Sequence, residues 1–127
     1  MTLMLVDDDQ DDIDLFSDVL NQIDRSIHLL TAHNGKDALN LLSSDIFEKP
    51  DHIFLDINMP IMNGLDCLEA LRTELKISTP VTIYTTSKNP REYSRSLTLG
   101  ADFLPKPHDY STLSEILRKK IDGLSSR

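Results

Sequence analysis

Five short apolar runs, each followed by a polar loop and then by helical spacing of apolar residues, constrain this chain most. Leu3–Val6 is a continuous apolar run, as expected of a strand buried on both faces. Ile13, Phe16, Val19, Leu20 and Ile23 then recur at three- and four-residue intervals, which predicts an amphipathic helix over about 10–24. Ile27–Thr31 is a second strand. Asn34-Gly35 signals a helix entry, and Ala38, Leu41 and Leu42 mark a short second helix. Ser43–Asp51 reads as a loop, His52–Leu55 as a third strand, and Leu65, Leu68, Leu71 and Leu75 as a third helix. Pro80 opens a fourth strand, Val81–Thr85. Pro90 starts a fourth helix, with an apolar stripe of only Tyr93 and Leu97, and Gly100 ends it. Ala101–Leu104 is a fifth strand. Leu113, Ile116, Leu117 and Ile121 form a last helix, with Gly123 as its stop.

Strands alternating with helices, through connections too long for hairpins, imply a parallel sheet covered on both faces. The expectation is a three-layer, doubly wound α/β domain. Ligands of such sheets bind outside the carboxyl ends of the strands. Only Leu124–Arg127 lies beyond the last helix, so residues 1–127 read as a single domain without an output domain.

Charge narrows the function. There are 13 Lys and Arg against 21 Asp and Glu, a formal net charge of −8. That balance disfavours nucleic acid and anionic membrane surfaces as partners. No apolar run approaches the ~18 residues of a membrane span, and the first residues lack the basic flank of a signal peptide. The lone Cys67 has no internal disulfide partner, so a reducing, cytoplasmic setting is expected. The acidity is local. Seven aspartates (Asp7, Asp8, Asp9, Asp11, Asp12, Asp14 and Asp18) lie within residues 1–18, and the rest of the chain is near neutral. Asp9, Asp11, Asp12, Asp14 and Asp18 are expected on a solvated helix face. A calcium loop is rejected, because Asp12 stands where glycine is required and no closing glutamate follows.

Asp7 and Asp8 follow the first strand, Asp56 ends the third, Thr85 ends the fourth and Lys106 follows the fifth. A parallel sheet gathers these positions into one pocket. Three carboxylates at close range repel one another, and a divalent cation relieves that repulsion. Hard oxygen ligands suit Mg²⁺. With an ammonium and a hydroxyl beside it, Asp56 sits where phosphoryl charge can be stabilised.

Four segments carry a resemblance: Val6-Asp7-Asp8-Asp9, Leu55-Asp56-Ile57-Asn58-Met59-Pro60 with Gly64, Tyr84-Thr85-Thr86-Ser87, and Phe103-Leu104-Pro105-Lys106-Pro107. Together they resemble the receiver domain of bacterial response regulators, over Leu3 to about Ile121. The resemblance implies a flavodoxin-like sheet with strand order 2-1-3-4-5. The stand-alone form resembles chemotaxis and phytochrome-linked regulators. The resemblance implies that Asp56 accepts phosphate from a sensor histidine kinase or a histidine phosphotransfer protein. It implies Mg²⁺ on Asp8, Asp56 and the backbone carbonyl of Asn58, with Asp7 acting mostly through a metal-bound water. Lys106 would pair with Asp56 and then with a phosphate oxygen. Thr85 and Phe103 would be the switch residues, and Lys106-Pro107 a cis peptide. The face of the fourth helix, fifth strand and last helix would meet a downstream protein, and phosphorylation-linked dimerisation would be open to it.

Two rival readings share parts of this pattern. A haloacid-dehalogenase-like phosphatase wants a second acid two residues after its nucleophile, where this chain has Asn58. A flavodoxin-like carrier would need small residues after the first strand, where this chain has aspartates that repel a flavin phosphate. Thr86 is bulkier than expected beside Thr85. Neither Asn58 nor Ser87, which would flank an attacking water, can act as a strong base.

Overall fold

The computed structural model describes residues 1–45 and 49–125. Residues 46–48 of the expected 43–51 loop, and residues 126–127, lie outside the described residues. Ten elements alternate along the chain: β1 Thr2–Val6, α1 Gln10–Ile23, β2 His28–Ala32, α2 Gly35–Ser43, β3 His52–Leu55, α3 Gly64–Thr73, β4 Val81–Thr85, α4 Pro90–Thr98, β5 Asp102–Pro105 and α5 Tyr110–Ser125. The strands form one parallel sheet in the order β2-β1-β3-β4-β5. This is the doubly wound arrangement expected from the sequence.

The three central strands are buried on both faces, and the polar His52 of β3 and Thr82 of β4 are buried as a hydrogen-bonded pair at 2.7 Å. Leu3 and Leu5 of β1, Phe54 of β3 and Tyr84 of β4 point to one core, with Ile13, Phe16, Val19 and Leu20 of α1 and Leu113, Leu117 and Ile121 of α5. Met4, Val6, Ile53, Leu55, Val81 and Ile83 alternate to the other face, onto Ala38 and Leu42 of α2 and Leu65, Leu68 and Leu71 of α3. Phe16, Phe54 and Tyr84 make edge-to-face contacts with centroids 5.1–6.4 Å apart, locking α1 to the sheet centre. Among the described residues no helix is long and apolar enough to cross a membrane.

Helix entries follow ordinary capping chemistry. Asp9 accepts from the Asp11 and Asp12 amides, Asn34 from Asp37, Asn63 from Asp66 and Asn89 from Arg91. Gly100 has φ +79°, a left-handed residue that closes the turn after α4.

One expectation fails in detail. Gly123 does not stop α5, which continues to Ser125. Its φ is not positive, and the half-buried Leu124 packs against the α1–α5 core, so burial outweighs the helix penalty of about 1 kcal/mol for glycine. The fourth helix forms as expected, and its sparse stripe is not a core face. Only Ser96 is buried there, while Tyr93 and Leu97 are about half exposed.

Candidate functional site

The carboxyl ends of β1, β3, β4 and β5 meet because the sheet is parallel and nearly in register. Val6 pairs with Leu55, so Asp7 and Asp56 are the next residues of adjacent strands. Asp56 N–H donates to Val6 O at 3.0 Å, and Asp7 N–H to Ala32 O at 3.0 Å. Thr85 pairs with Pro105, and Lys106 N–H donates to Thr85 O at 2.9 Å. One further residue of strand-like pairing therefore delivers the lysine to the pocket.

Lys106 Nζ is the hub of the site. It donates to Asp56 Oδ2 at 3.0 Å and to Asp12 Oδ2 at 2.9 Å. It also lies 2.6 Å from Asp7 Oδ2, an ion-pair contact off the line of a regular hydrogen bond. The lysine side chain is only 6% exposed. Burial alone would lower its basicity, but Asp7, Asp12 and Asp56 reverse that and hold the ammonium above the ordinary lysine value. Asp7 is fully buried. Desolvation pushes its carboxyl up, against the opposing pull of Lys106 and of the Asp9 amide, which donates to Asp7 Oδ1 at 3.0 Å.

Asp7, Asp8 and Asp56 each present a carboxylate oxygen within 4.8 Å of the others. Asp8 is exposed, and Asp7 and Asp56 are buried. Asp7 Oδ2 has no hydrogen-bond donor of regular geometry. An all-oxygen donor set with one buried, undersatisfied oxygen fits a hard divalent cation. Asp56 is oriented from its own loop, since Ile57 N–H donates to Asp56 Oδ1 at 2.8 Å. Gly64 makes this possible. A Cβ there would lie 1.9 Å from the Asp56 carbonyl oxygen, so only glycine lets α3 start against the end of β3. Asn58 is exposed in the same loop.

Thr85 is fully buried, and its Oγ1 accepts from Ser87 N–H at 3.2 Å. The hydroxyl proton is therefore not committed to that bond. Ser87 is itself tied to Glu92 of α4. A cavity of about 310 Å³ extends from Thr85 and Lys106 to Tyr93 of α4 and Phe103 of β5. Phe103 is half-buried, and Tyr93 meets it edge-to-face at 5.1 Å.

The structure corrects two expectations. The Lys106–Pro107 peptide is not cis, since no cis peptide bond occurs among the described residues. Trans is the lower-energy form even before proline, and β5 pairing already aims the lysine, so no isomer is needed to turn it inward. Asp12 is not part of the solvated face. It is half-buried and bonds Lys106, whereas Asp9, Asp11, Asp14 and Asp18 are exposed as expected. The signal was present in the spacing. Asp12 stands four residues before the fully buried Phe16, which places it on the core-facing side of α1. Cys67 is buried, with its thiol pushed up to about 12 by desolvation, and is not part of this pocket.

Known proteins bear on this geometry. The family model described as the response regulator receiver domain matches residues 3–118. The chain is 41% identical over 105 residues to a protein-glutamate methylesterase/protein-glutamine glutaminase of Clostridium acetobutylicum, covering 80% of this chain and 29% of that protein. It is 38% identical over 106 residues to the transcriptional regulatory protein CpxR of Escherichia coli K12, covering 83% of this chain and 42% of that one. It thus spans less than half of these curated relatives. Among solved structures, the Mn²⁺-bound response regulator Rcp1 superposes with a TM-score of 0.81 at 26% identity, covering 93% of this chain and 89% of that chain. The chemotaxis protein CheY4 of Vibrio cholerae superposes at 0.76 and 28% identity, covering 93% and 96%. With sequence, strand order and pocket in agreement, the chain belongs to the response regulator receiver domain family.

Proposed function

We propose that this receiver domain is a phospho-acceptor switch, taking a phosphoryl group onto Asp56 from a phosphohistidine donor in a Mg²⁺-dependent transfer. The observation that carries this reading is the Lys106 ammonium, 3.0 Å from Asp56 Oδ2 and beside the Asp7–Asp8–Asp56 oxygen cluster. In the transfer, a carboxylate oxygen of Asp56 attacks phosphorus. The P–N bond to the donor imidazole breaks, and its electron pair leaves with the imidazole. Lys106 then bonds a phosphoryl oxygen, and the Thr85 hydroxyl donates to another. Asp7, Asp8, Asp56 and the Asn58 carbonyl would hold Mg²⁺, which when bound offsets the charge between carboxylates and phosphoryl oxygens. The Mn²⁺-bound neighbour supports a divalent cation at such a cluster.

Movement of Thr85 toward the phosphoryl group would pull on Ser87 and the start of α4, and Phe103 would follow into the cavity it shares with Thr85. The surface of α4, β5 and α5 would then present a changed face to a downstream protein or to a second copy. The donor would be a histidine kinase or a phosphotransfer protein, met in the cytoplasm. A metabolic phosphatase of the haloacid-dehalogenase kind is not favoured, because the position where that class needs an acid is the exposed amide Asn58.

Intact-mass measurement after incubation with Mg²⁺ and a small phosphodonor tests the proposal. Wild type should gain one phosphate. Asp56→Asn should gain none, and Asp8→Ala should lose the Mg²⁺-dependent labelling. Wild type that stays unmodified with Mg²⁺ present would overturn the reading.

A further inference from the structure

Three carboxylates converge on one ammonium that has three protons to give. They are not equivalent. Asp56 is the acceptor in the function proposed above, and Asp7 is fully buried in the oxygen cluster with Asp8. Asp12 is outside that cluster. It reaches Lys106 from the first turn of α1, with its side chain 38% exposed. It is the only one of the three that solvent can take over when its bond to the lysine breaks.

We infer that Asp12 is a positioning residue, holding Lys106 in the unphosphorylated state in the place that a phosphoryl oxygen later takes, and competing with that oxygen for the ammonium. Asp12 and Asp56 take two of the ammonium's protons and Asp7 crowds it at 2.6 Å, so an incoming oxygen must compete with a carboxylate for the ammonium. Displacing Asp7 would strand a buried charge, which is far more costly than returning a half-exposed one to water. Asp56 carries the incoming phosphoryl group and stays at the site, so of the other two carboxylates Asp12 is the partner that yields. Its bond keeps the lysine extended and low in entropy before transfer, and opposes capture of the phosphoryl group during it.

This inference rests on the phospho-acceptor reading, and the test separates the two. Beryllofluoride, a phosphoryl mimic, is titrated at saturating Mg²⁺ into wild type, Asp12→Asn and Asp12→Glu, with bound and free fluoride distinguished by ¹⁹F NMR. Removing an exposed-side competitor should tighten binding by about two- to fivefold in Asp12→Asn, while Asp12→Glu, which keeps the charge, stays near wild type. Mg²⁺ affinity measured without beryllofluoride should move the other way in Asp12→Asn, because a nearby negative charge is gone and Lys106 turns fully onto Asp7 and Asp56. A merely structural defect would weaken both. Beryllofluoride binding to Asp12→Asn that is unchanged or weaker, or an Asp12→Glu that behaves like it, would overturn the role of Asp12. A wild type that takes up no beryllofluoride would overturn the acceptor reading itself.

Discussion

Gly64→Ala should damage this domain far more than its place at the start of a helix suggests. The added Cβ would lie 1.9 Å from the Asp56 carbonyl oxygen and 2.7 Å from the Asp56 carbonyl carbon. Ordinary contacts are near 3.5 Å, so the start of α3 must retreat by about 1.5 Å. Gly64 N–H donates to Ile57 O at 2.9 Å, and that bond breaks with the retreat. Overpacking costs about 1–3 kcal/mol, and an orphaned buried peptide group about 1–3 more. The helix preference for alanine returns at most about 1 kcal/mol. The net loss is about 3 kcal/mol, a melting temperature lower by about 10–15 °C for a domain of this size. Thermal and urea unfolding followed by far-UV circular dichroism measure it. Gly123→Ala is the control, since nothing lies within 4 Å of its added Cβ and its φ is not positive. That variant should gain about half a kcal/mol. The steric argument is refuted if Gly64→Ala melts within about 3 °C of wild type, or if Gly123→Ala falls equally far.

Two further outcomes follow from the charges. The Asp7 carboxyl is raised in the folded state, so the stability it contributes is present below the unfolded carboxylate value and is lost as pH rises through the folded one. Asp7→Asn should therefore stabilise the metal-free protein at pH 7, while weakening Mg²⁺ binding about tenfold or more; paired urea titrations with and without Mg²⁺ check both. Lys106→Met leaves Asp7 and Asp56 buried beside no cation and should cost about 3 kcal/mol at pH 7. Because the folded ammonium is raised, the lysine contribution is complete below the unfolded value of 10.5 and is lost as pH climbs through the folded one. Urea midpoints of wild type and Lys106→Met should hence converge above pH 10.5, and a constant gap would contradict the ion-pair account.

How much of this fold could be read from the sequence depended on how completely each element was buried. β1, β3 and β4 are covered on both faces; apolar runs placed β3 at its observed bounds and β1 within a residue, and Pro80 marked the start of β4. β2 and β5 are edge strands with half-exposed patterns. Each begins one residue later than its apolar run suggests, because on an edge the pairing register decides the boundary and hydrophobicity does not. α4 shows the same effect in a helix. Its Tyr93 and Leu97 are on one face, but that face is turned outward, and the helix is held by Ser96, by Tyr93 on Phe103, and by Arg95 bridging to Asp66 and Glu69 of α3 at 3.1 and 2.8 Å. Periodicity identifies a stripe. It does not say whether the stripe meets a core or a solvent-facing neighbour.

The pocket was more readable than its wiring. Topology alone brings Asp7, Asp56, Thr85 and Lys106 to one end of the sheet, because each is the last residue of a strand or lies just beyond one. What topology leaves open is which carboxylate the lysine chooses. Asp7, Asp56 and Asp12 are 99, 50 and 94 residues away from Lys106 in the chain, and no local pattern links them. Asp12 is the instructive case. By composition it belongs to an acidic run that decorates a helix, and by helical phase it belongs to the Phe16 side that faces the sheet. Phase prevails because α1 is fixed by its apolar residues. The two Phe16 contacts with Phe54 and Tyr84 set the rotation of the helix, and that rotation carries Asp12 over the end of β1 to within 2.9 Å of the lysine. A charge in this fold is thus placed by the hydrophobic residues one turn away from it, and of five aspartates of identical chemistry Asp9 caps the helix, Asp11, Asp14 and Asp18 stay exposed and Asp12 holds the site.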